Sequence, residues 1–381
     1  EFVYHIGGPE QDELAELRAD ISAAIEIGHL SGQESALKLA ISVAYPSPDG
    51  WTSGVHEALN KIGLGSLARL QVSDPEAEAE LENEIKTLSP IEDGVSRQVR
   101  TQYEQNPFPR WSLLSRPAPG SVGDTLRFLF PHAQVPEKKF EPCSILIAGC
   151  GTGQQSLQCA GRFAKARILA VDLSLASLAF ASRMTGRLGM ANIKYAQADI
   201  MALDTLDRRF DLIECVGVLH HLADPEAGWR ILSGLLRPGG VMKIGLYSEA
   251  ARQDVVAGRA LIAERGYDPS PGGIRRCRQD IAELARKGNA EMTRLSQRDS
   301  FFTTSECRDL LFHVQEHRFD LSRIEAALHA LKLNFLGFEY SGPAPRSPAP
   351  LAVWRDFETA HPQTFAGMYE FWVQKNHTKE R

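Results

Sequence analysis

Three glycines at alternate positions, Gly149, Gly151 and Gly153, close an apolar run that begins at Ser144. The chain then passes into Gln154-Gln-Ser-Leu-Gln-Cys-Ala160, which reads as a helix start. A buried strand, a glycine turn and a helix N-terminus together make a site for an anionic or nucleotide ligand. The spacing is G-x-G-x-G, whereas the nicotinamide-dinucleotide spacing G-x-G-x-x-G needs glycine where Gln154 stands. A second apolar strand ends in Asp172, placed to accept hydrogen bonds from ribose hydroxyls; the alternative is that it only caps a helix starting at Ser174. A third ends in Ala198-Asp199-Ile200, where Asp199 can meet the exocyclic amine of an adenine and Ile200 its ring. An ordinary strand-end turn is the other reading. A fourth runs through Val216 into Gly217-Val-Leu-His-His-Leu222, which carries His220 and His221; these either act on ligand or pack in a turn.

Two more segments carry chemistry. Val95–Trp111 reads as a helix that stops before Pro107, followed by the stiff Asn106-Pro-Phe-Pro-Arg-Trp111. It is either a packed linker or a cover for the ligand, with Tyr103 and Arg110 pointing inward. In Ser305–His317, helical spacing puts Asp309, His313, Glu316, His317 and Asp320 on one face. That face is either solvated or the wall of a substrate site. His313-Val-Gln-Glu-His317 also spells H-x-x-E-H, an inverted zinc-protease pattern. Two histidines at helical spacing arise easily by chance, and no metal site is assigned. Arg275-Arg-Cys-Arg278 reads as a solvated helix face.

The elements that must position these groups alternate. Strands are expected at 144–149, 167–172, 193–198, 210–216 and 240–247, with helices at 154–164, 174–188 and 226–236. Such alternation implies a parallel sheet with right-handed crossovers. Its strand ends then face one crevice, with the ligand lying where the winding reverses, across the first and fourth strands. Residues 248–319 interrupt the pattern with helices. A helix at 320–332, a strand at 333–340, a loop at 341–350, a helix at 352–361 and a strand at 368–374 follow. Upstream, two helices fit residues 11–44, divided near Gly28 to Gly32. Pro46–Trp51 is a turn cluster, and helices near 53–62 and 65–72 come next. Asp74–Glu84 is an acidic, solvated helix with Asp74 as N-cap and Pro75 at its first position.

The chain has 381 residues, 43% hydrophobic and 24% charged, enough for more than one domain. A net charge of −6 gives no global basic field for nucleic acid. No apolar run approaches the ~18 residues of a membrane span, no signal-like segment opens the sequence, and a cytoplasmic location is expected. The six cysteines form no C-x-x-C pair and read as reduced, buried thiols. Residue 1 is Glu rather than Met, as in a trimmed chain or a piece of a longer one.

Taken in order, Ile147-Ala-Gly-Cys-Gly-Thr-Gly153, Asp172, Asp199, Val218-Leu-His-His-Leu222 and Leu236-Arg-Pro-Gly-Gly240 resemble the class I S-adenosylmethionine-dependent methyltransferases. The resemblance covers about residues 95 to 376. It departs from the family at Ala148, where an acid is common. It implies a doubly wound, seven-stranded α/β Rossmann-like sheet whose last strand is antiparallel and lies between the fifth and sixth. Tyr103–Trp111 and Cys307–His317 are also similar to bacterial methyltransferases often fused behind tetratricopeptide repeats, the rickettsial protein-lysine methyltransferases among related enzymes. No repeat is visible here.

The expected organisation is a helical domain at 1–94, a cofactor-binding core with its cap helix at 95–247, a helical lid at 248–319 and completion of the core at 320–381. The resemblance implies S-adenosyl-L-methionine contacts from Tyr103, Arg110, Gly149, Cys150, Gly151, Gly153, Gln154, Asp172, Leu173, Asp199, Ile200, Val216 and His220. Within these, Arg110 would pair the cofactor's carboxylate. Candidate catalytic groups are His221, His313, Glu316 and His317. The expected reaction is methyl transfer to a protein side chain, lysine favoured. The alternatives are a small-molecule N- or O-acceptor, or a cofactor-binding regulatory protein without activity. A nicotinamide oxidoreductase is disfavoured by Gln154 and Asp199.

Overall fold

The computed structural model describes residues 8–28, 32–45, 54–115, 117–133, 140, 142–345 and 348–376. The Pro46–Trp51 turn lies outside them.

Eight strands form one sheet: β1 (Lys86–Thr87), β2 (Ser144–Ala148), β3 (Arg167–Asp172), β4 (Ile193–Gln197), β5 (Phe210–Val216), β6 (Leu236–Leu246), β7 (Leu333–Phe338) and β8 (Tyr369–Lys375). Their order is β1-β4-β3-β2-β5-β6-β8-β7. The pairs from β1 through β6 are parallel. The last strand, β8, is antiparallel to both β6 and β7 and lies between them, as the resemblance implies. The eighth strand, β1, is an addition. Two polar residues long, it pairs the free edge of β4, and nothing in its composition marks it as a strand.

Strand periodicity explains why both faces are buried. Leu146, Ala148, Leu169 and Val171 enter one core cluster, and Ile145, Ile147, Ile168 and Ala170 enter the other. Winding reverses between β2 and β5, and the glycine turn after β2 opens there. β6 starts earlier than the expected 240. Leu236 already pairs with Phe210, and the register shift before Leu212↔Val241 absorbs Arg237-Pro-Gly-Gly240.

Residues 253–312 form four helices, Gln253–Arg265, Pro271–Arg286, Ala290–Ser296 and Thr304–Phe312, around their own core of Val255, Ile274, Cys277, Leu295 and Leu311. Helices Gly8–Glu26, Gln33–Ala44 and Val55–Lys61 enclose a separate cluster centred on Leu39 and Leu59. The chain is then helical without a break from Gly65, through a π turn at Arg69–Ser73, to Glu82. Asp74 is therefore not an N-cap, since its backbone is itself helical (φ −66, ψ −45). Nor is this acidic helix simply solvated. Asp74 and Glu78 both pair with Arg183 on the helix Leu175–Arg187, at 3.0 and 2.8 Å.

All six cysteines are buried and unpaired. Among the described residues no helix is long and apolar enough to cross a membrane.

Candidate active site

A cavity of about 400 Å³ opens at the C-terminal ends of β2, β3 and β5. A volume in this range suits a drug-sized ligand. Of the predicted cofactor contacts, Tyr103, Gly149, Cys150, Gly151, Gln154, Asp172, Leu173, Asp199, Ile200 and Val216 line it, as does His221. Ser96, Val99, Phe108, Pro109, Gln155, Ala198, Gly217, Val218, Leu222, Tyr247, Asp309 and Met368 complete the wall.

The glycine turn is shaped by its neighbours as much as by a ligand. Gly149 has φ +76, and a Cβ there would stand 2.4 Å from Val218 Cγ2. Asp172 braces the turn. Its Oδ2 accepts from Gly151 N at 2.8 Å and its Oδ1 from Ser174 N at 3.0 Å. Burial raises its pKa against these donors. An ionised carboxylate has about four acceptor sites, so these donors leave acceptor capacity for a ligand. Ser174, not Asp172, caps the following helix, accepting from Ser177 N at 3.0 Å. Asp199 is 2% exposed and accepts from Met201 N at 2.9 Å.

Glu104 belongs to the site although its local sequence gives no sign of it. Its carboxylate accepts from Leu175 N and Ala176 N, both at 2.9 Å, at the start of the helix after β3. This docks the helix Gly94–Gln105 over the cavity, and Tyr103 one residue earlier faces inward. An acid at a helix N-terminus is favourable there, but its partner is far away in sequence. Tyr103 Oη donates to Asp309 Oδ1 at 2.7 Å. Burial, the leading cause, raises the Asp309 carboxyl to about 6.

Several of the expected residues do not line the cavity. Arg110 is exposed, its guanidinium 6.0 Å from the Phe180 ring, and it does not face the cavity. The wall nearest it is sealed instead by Thr152, whose hydroxyl donates to the Pro109 carbonyl, and by Trp111 Nε1, which donates to Thr152 O at 3.2 Å. Gly153 lies at the helix N-terminus behind the turn, packed on Ala181. His220 is fully buried and stacks on Tyr247 at 3.7 Å rather than lining the cavity.

The single polar helix face from Asp309 to Asp320 does not exist. The helix ends at Phe312 and His313 is extended (φ −60, ψ 135). The backbone of 313–319 bonds elsewhere, His317 N to His220 O at 2.7 Å and Phe319 N to Tyr247 O at 2.9 Å. Tertiary hydrogen bonds thus replace helical ones, and H-x-x-E-H does not place its histidines one turn apart. Of that face only Asp309 reaches the cavity. Glu316 is 1% exposed in side chain and paired with Arg252 at 2.8 Å, and Asp320 caps the helix Leu321–Leu331. His317 Nε2 faces Gln315 Nε2 at 2.9 Å. His313 does not line the cavity but stacks on His221 at 3.6 Å.

The wall fits S-adenosylmethionine. Two acids, partly buried Asp172 and buried Asp199, stand at the ends of β3 and β4 with acceptor sites to spare, and apolar Leu173, Ala198 and Ile200 lie beside them for an adenine. The tight turn at Gly149–Gly151 leaves backbone, not side chain, on the remaining side. Three aspartates and no lysine or arginine line the cavity among the described residues, which suits a cationic sulfonium.

Residues 145–240 match the methyltransferase domain family. An uncharacterised protein of Synechococcus sp. is 32% identical over 261 residues, 65% of this chain and 60% of that protein. The trans-aconitate 2-methyltransferase of Deinococcus radiodurans is 34% identical over 149 residues, 38% of this chain and 52% of that enzyme. The structure of PKMT2 from Rickettsia typhi superposes with a TM-score of 0.54 at 16% identity, covering 70% of this chain and 55% of that one. Its complex with AdoHcy gives a TM-score of 0.55. The chain thus spans only half to three fifths of the length of these relatives. With the sheet order, the glycine turn and the acids at the strand ends, these matches show that the chain carries a class I S-adenosylmethionine-dependent methyltransferase domain.

Proposed function

We propose that the protein transfers a methyl group from S-adenosylmethionine to an amine, with the lysine side chain of a protein as the acceptor. The observation that carries this reading is the wall of Tyr103 and Asp309 in a cavity that no lysine or arginine lines among the described residues. Such a wall attracts an ammonium group. It repels a carboxylate such as trans-aconitate, the acceptor named for the Deinococcus relative. The fold-level likeness to PKMT2 and the resemblance to protein-lysine methyltransferases support a protein acceptor.

The cofactor, when bound, supplies an electrophilic methyl group on a sulfonium. Asp172 holds the ribose end and Asp199 with Ile200 the adenine end. Tyr103 and the helix Gly94–Gln105 cover the site and exclude water. An acceptor ammonium must lose one proton before its lone pair can attack. Asp309, with a carboxyl near 6, is ionised at neutral pH and takes that proton at the acceptor end. Positioning does most of the rest.

The test is purified protein with S-adenosylmethionine labelled in its methyl group and a cell lysate separated into protein and small-molecule pools. Label in the protein pool, recovered as methyl-lysine, is the expected result. Label confined to small molecules overturns the protein acceptor. No label anywhere, with S-adenosylhomocysteine still binding by calorimetry, overturns methyl transfer in favour of a cofactor-binding protein without activity.

A further inference from the structure

His221 and His313 come from segments far apart in sequence, yet their rings stack with centroids 3.6 Å apart and planes 21° apart. One residue touches both. The Gln315 carbonyl lies 2.7 Å from His221 Nδ1, and the Gln315 N–H donates to His313 Nδ1 at 3.3 Å. A carbonyl only accepts, so His221 carries its proton on Nδ1 and leaves Nε2 bare. An N–H only donates, so His313 has a bare Nδ1 and carries its proton on Nε2, a buried atom without a partner. The two rings are therefore set in opposite tautomers by one peptide residue. Of the two, His221 lines the cavity.

We propose that the Gln315 peptide and the His313 ring hold His221 as a neutral imidazole whose bare Nε2 accepts a hydrogen bond from the acceptor amine, so that the His313–Gln315 turn is a positioning element for methyl transfer. The proposal rests on the amine reading above. After Asp309 has taken one proton, the acceptor nitrogen keeps two N–H bonds and a lone pair. An N–H held on His221 Nε2 turns that lone pair toward the methyl carbon. The N–C bond then forms as the S–C bond breaks, its electron pair passing to sulfur. His221 gains and loses no proton.

The surroundings of His221 agree with a neutral ring. His220 stands edge-on at 4.3 Å and Tyr247 edge-on at 5.7 Å. Arg252 lies over Tyr247 at 3.6 Å and is paired with Glu316. Arg259 donates to the carbonyls of Leu311 and His313, and His317 completes the set. Burial foremost, then Arg252, Arg259 and His317, depress His221 to about 3, against the Gln315 carbonyl, which favours the proton. A charged imidazolium beside a sulfonium and an ammonium would repel both; a neutral acceptor does not.

The experiment pairs nitrogen-resolved NMR of the histidine side chains with three variants. At neutral pH, His221 is expected as the Nδ1–H and His313 as the Nε2–H tautomer. His221→Phe keeps the stack and removes the acceptor. It should bind S-adenosylhomocysteine within about threefold of wild type and lose about tenfold in kcat, the worth of one well-placed hydrogen bond between neutral groups. His221→Gln, which can present an amide oxygen, should recover part of that loss. His313→Phe keeps the stack but frees the Gln315 N–H, and should lower kcat more than it raises KM. Protonation of His221 on Nε2, or wild-type turnover by His221→Phe, overturns the proposal. Wild-type protein that keeps both tautomers but methylates no amine overturns the amine reading, and with it the acceptor contact.

Discussion

Tyr103 Oη donates to Asp309 Oδ1 across 2.7 Å, joining helices 206 residues apart in the chain. Beyond it, Arg308 Nη2 donates to Gln105 Oε1 at 2.9 Å, from the residue before Asp309 to the second residue after Tyr103. The cap helix before the sheet and the last lid helix are thus clasped over the cavity by two side-chain pairs. The inner one is partly buried and the outer one is exposed. Hydrogen bonds to charged groups contribute about 1.5–3 kcal/mol, so the inner pair dominates the clasp.

Tyr103→Phe should therefore loosen the cover without unfolding the core. The expected outcome is roughly a tenfold weaker affinity for S-adenosylhomocysteine, set by loss of one such bond, with far-ultraviolet circular dichroism unchanged. Calorimetric titration of wild type and variant measures this. Gln105→Ala, which removes the exposed pair, should change affinity by less than about twofold.

Asp309 gives a pH dependence with a defined sign. Burial raises its carboxyl from 3.8 to about 6, opposed by Tyr103 and Arg252 and reinforced by Glu316 and Glu306. Folding holds this proton more tightly than the unfolded chain does. Its contribution to stability is full below about 3.8 and is lost as pH rises through about 6. Activity runs the other way, because the ionised form is the one that binds and deprotonates an ammonium. Activity against pH should show an acidic limb near 6 in the wild type. Asp309→Asn should lose most of its turnover at every pH, and should melt higher than wild type at pH 8 but not at pH 4.

Much of this arrangement is legible in the sequence, and what is not has physical causes. β2, β3 and β5 are apolar runs bounded by turns, and Asp172 and Asp199 stand at their predicted strand ends. These depend on local pattern alone. The end of the lid helix at Phe312 does not, because the competing hydrogen bonds come from His220 and Tyr247, distant in sequence. Glu104 is invisible for the same reason, since its worth lies in the N–H groups of Leu175 and Ala176. Arg110 has the right chemistry for a carboxylate, but direction is not written in residue type. The two-residue strand Lys86–Thr87 is too short to show any periodicity.

Gly149 tests whether the turn is shaped by its protein neighbours. A Cβ at this position would stand 2.4 Å from Val218 Cγ2, at φ +76. Gly149→Ala is expected to lower the melting temperature and weaken S-adenosylhomocysteine binding. Val218→Ala should restore part of both in the double variant, leaving the backbone strain of about 1–2 kcal/mol and a tight contact with the remaining Cβ at 218, 3.0 Å away. Absence of any coupling between the two sites in a thermal-melt cycle would show that ligand space, not Val218, requires the glycine.

Asp172 combines ligand binding with support of the turn, and two substitutions separate the roles. Asp172→Ala removes the acceptors for Gly151 N and Ser174 N and should cost about 1–3 kcal/mol of stability together with all measurable S-adenosylhomocysteine binding. Asp172→Asn keeps one oxygen able to accept and should recover most of the stability while binding stays weak. Parallel thermal melts and calorimetry distinguish the two; full binding by Asp172→Ala would remove this carboxylate from the cofactor site.

Arg183 offers the opposite case, a buried charge whose loss should affect stability alone. Its guanidinium pairs with Asp74 at 3.0 Å and Glu78 at 2.8 Å, and all three side chains are largely buried, at 13–14% exposure. It also lies over the Phe180 ring at 5.1 Å. Removing one partner from such a cluster leaves uncompensated charge, which costs about 3–5 kcal/mol. Arg183→Ala leaves two carboxylates facing each other without a cation, so protonating them relieves the strain. The variant should melt well below wild type at pH 8 and approach it near pH 4. Arg183→Lys keeps the charge but cannot form a fork to both acids, and should fall between the two. None of these atoms lines the cavity, so S-adenosylhomocysteine affinity at a temperature where every variant is folded should match wild type. A variant that loses affinity there would show that the helix Asp74–Glu82 governs the site through the helix Leu175–Arg187, rather than only fastening the N-terminal helices to the sheet.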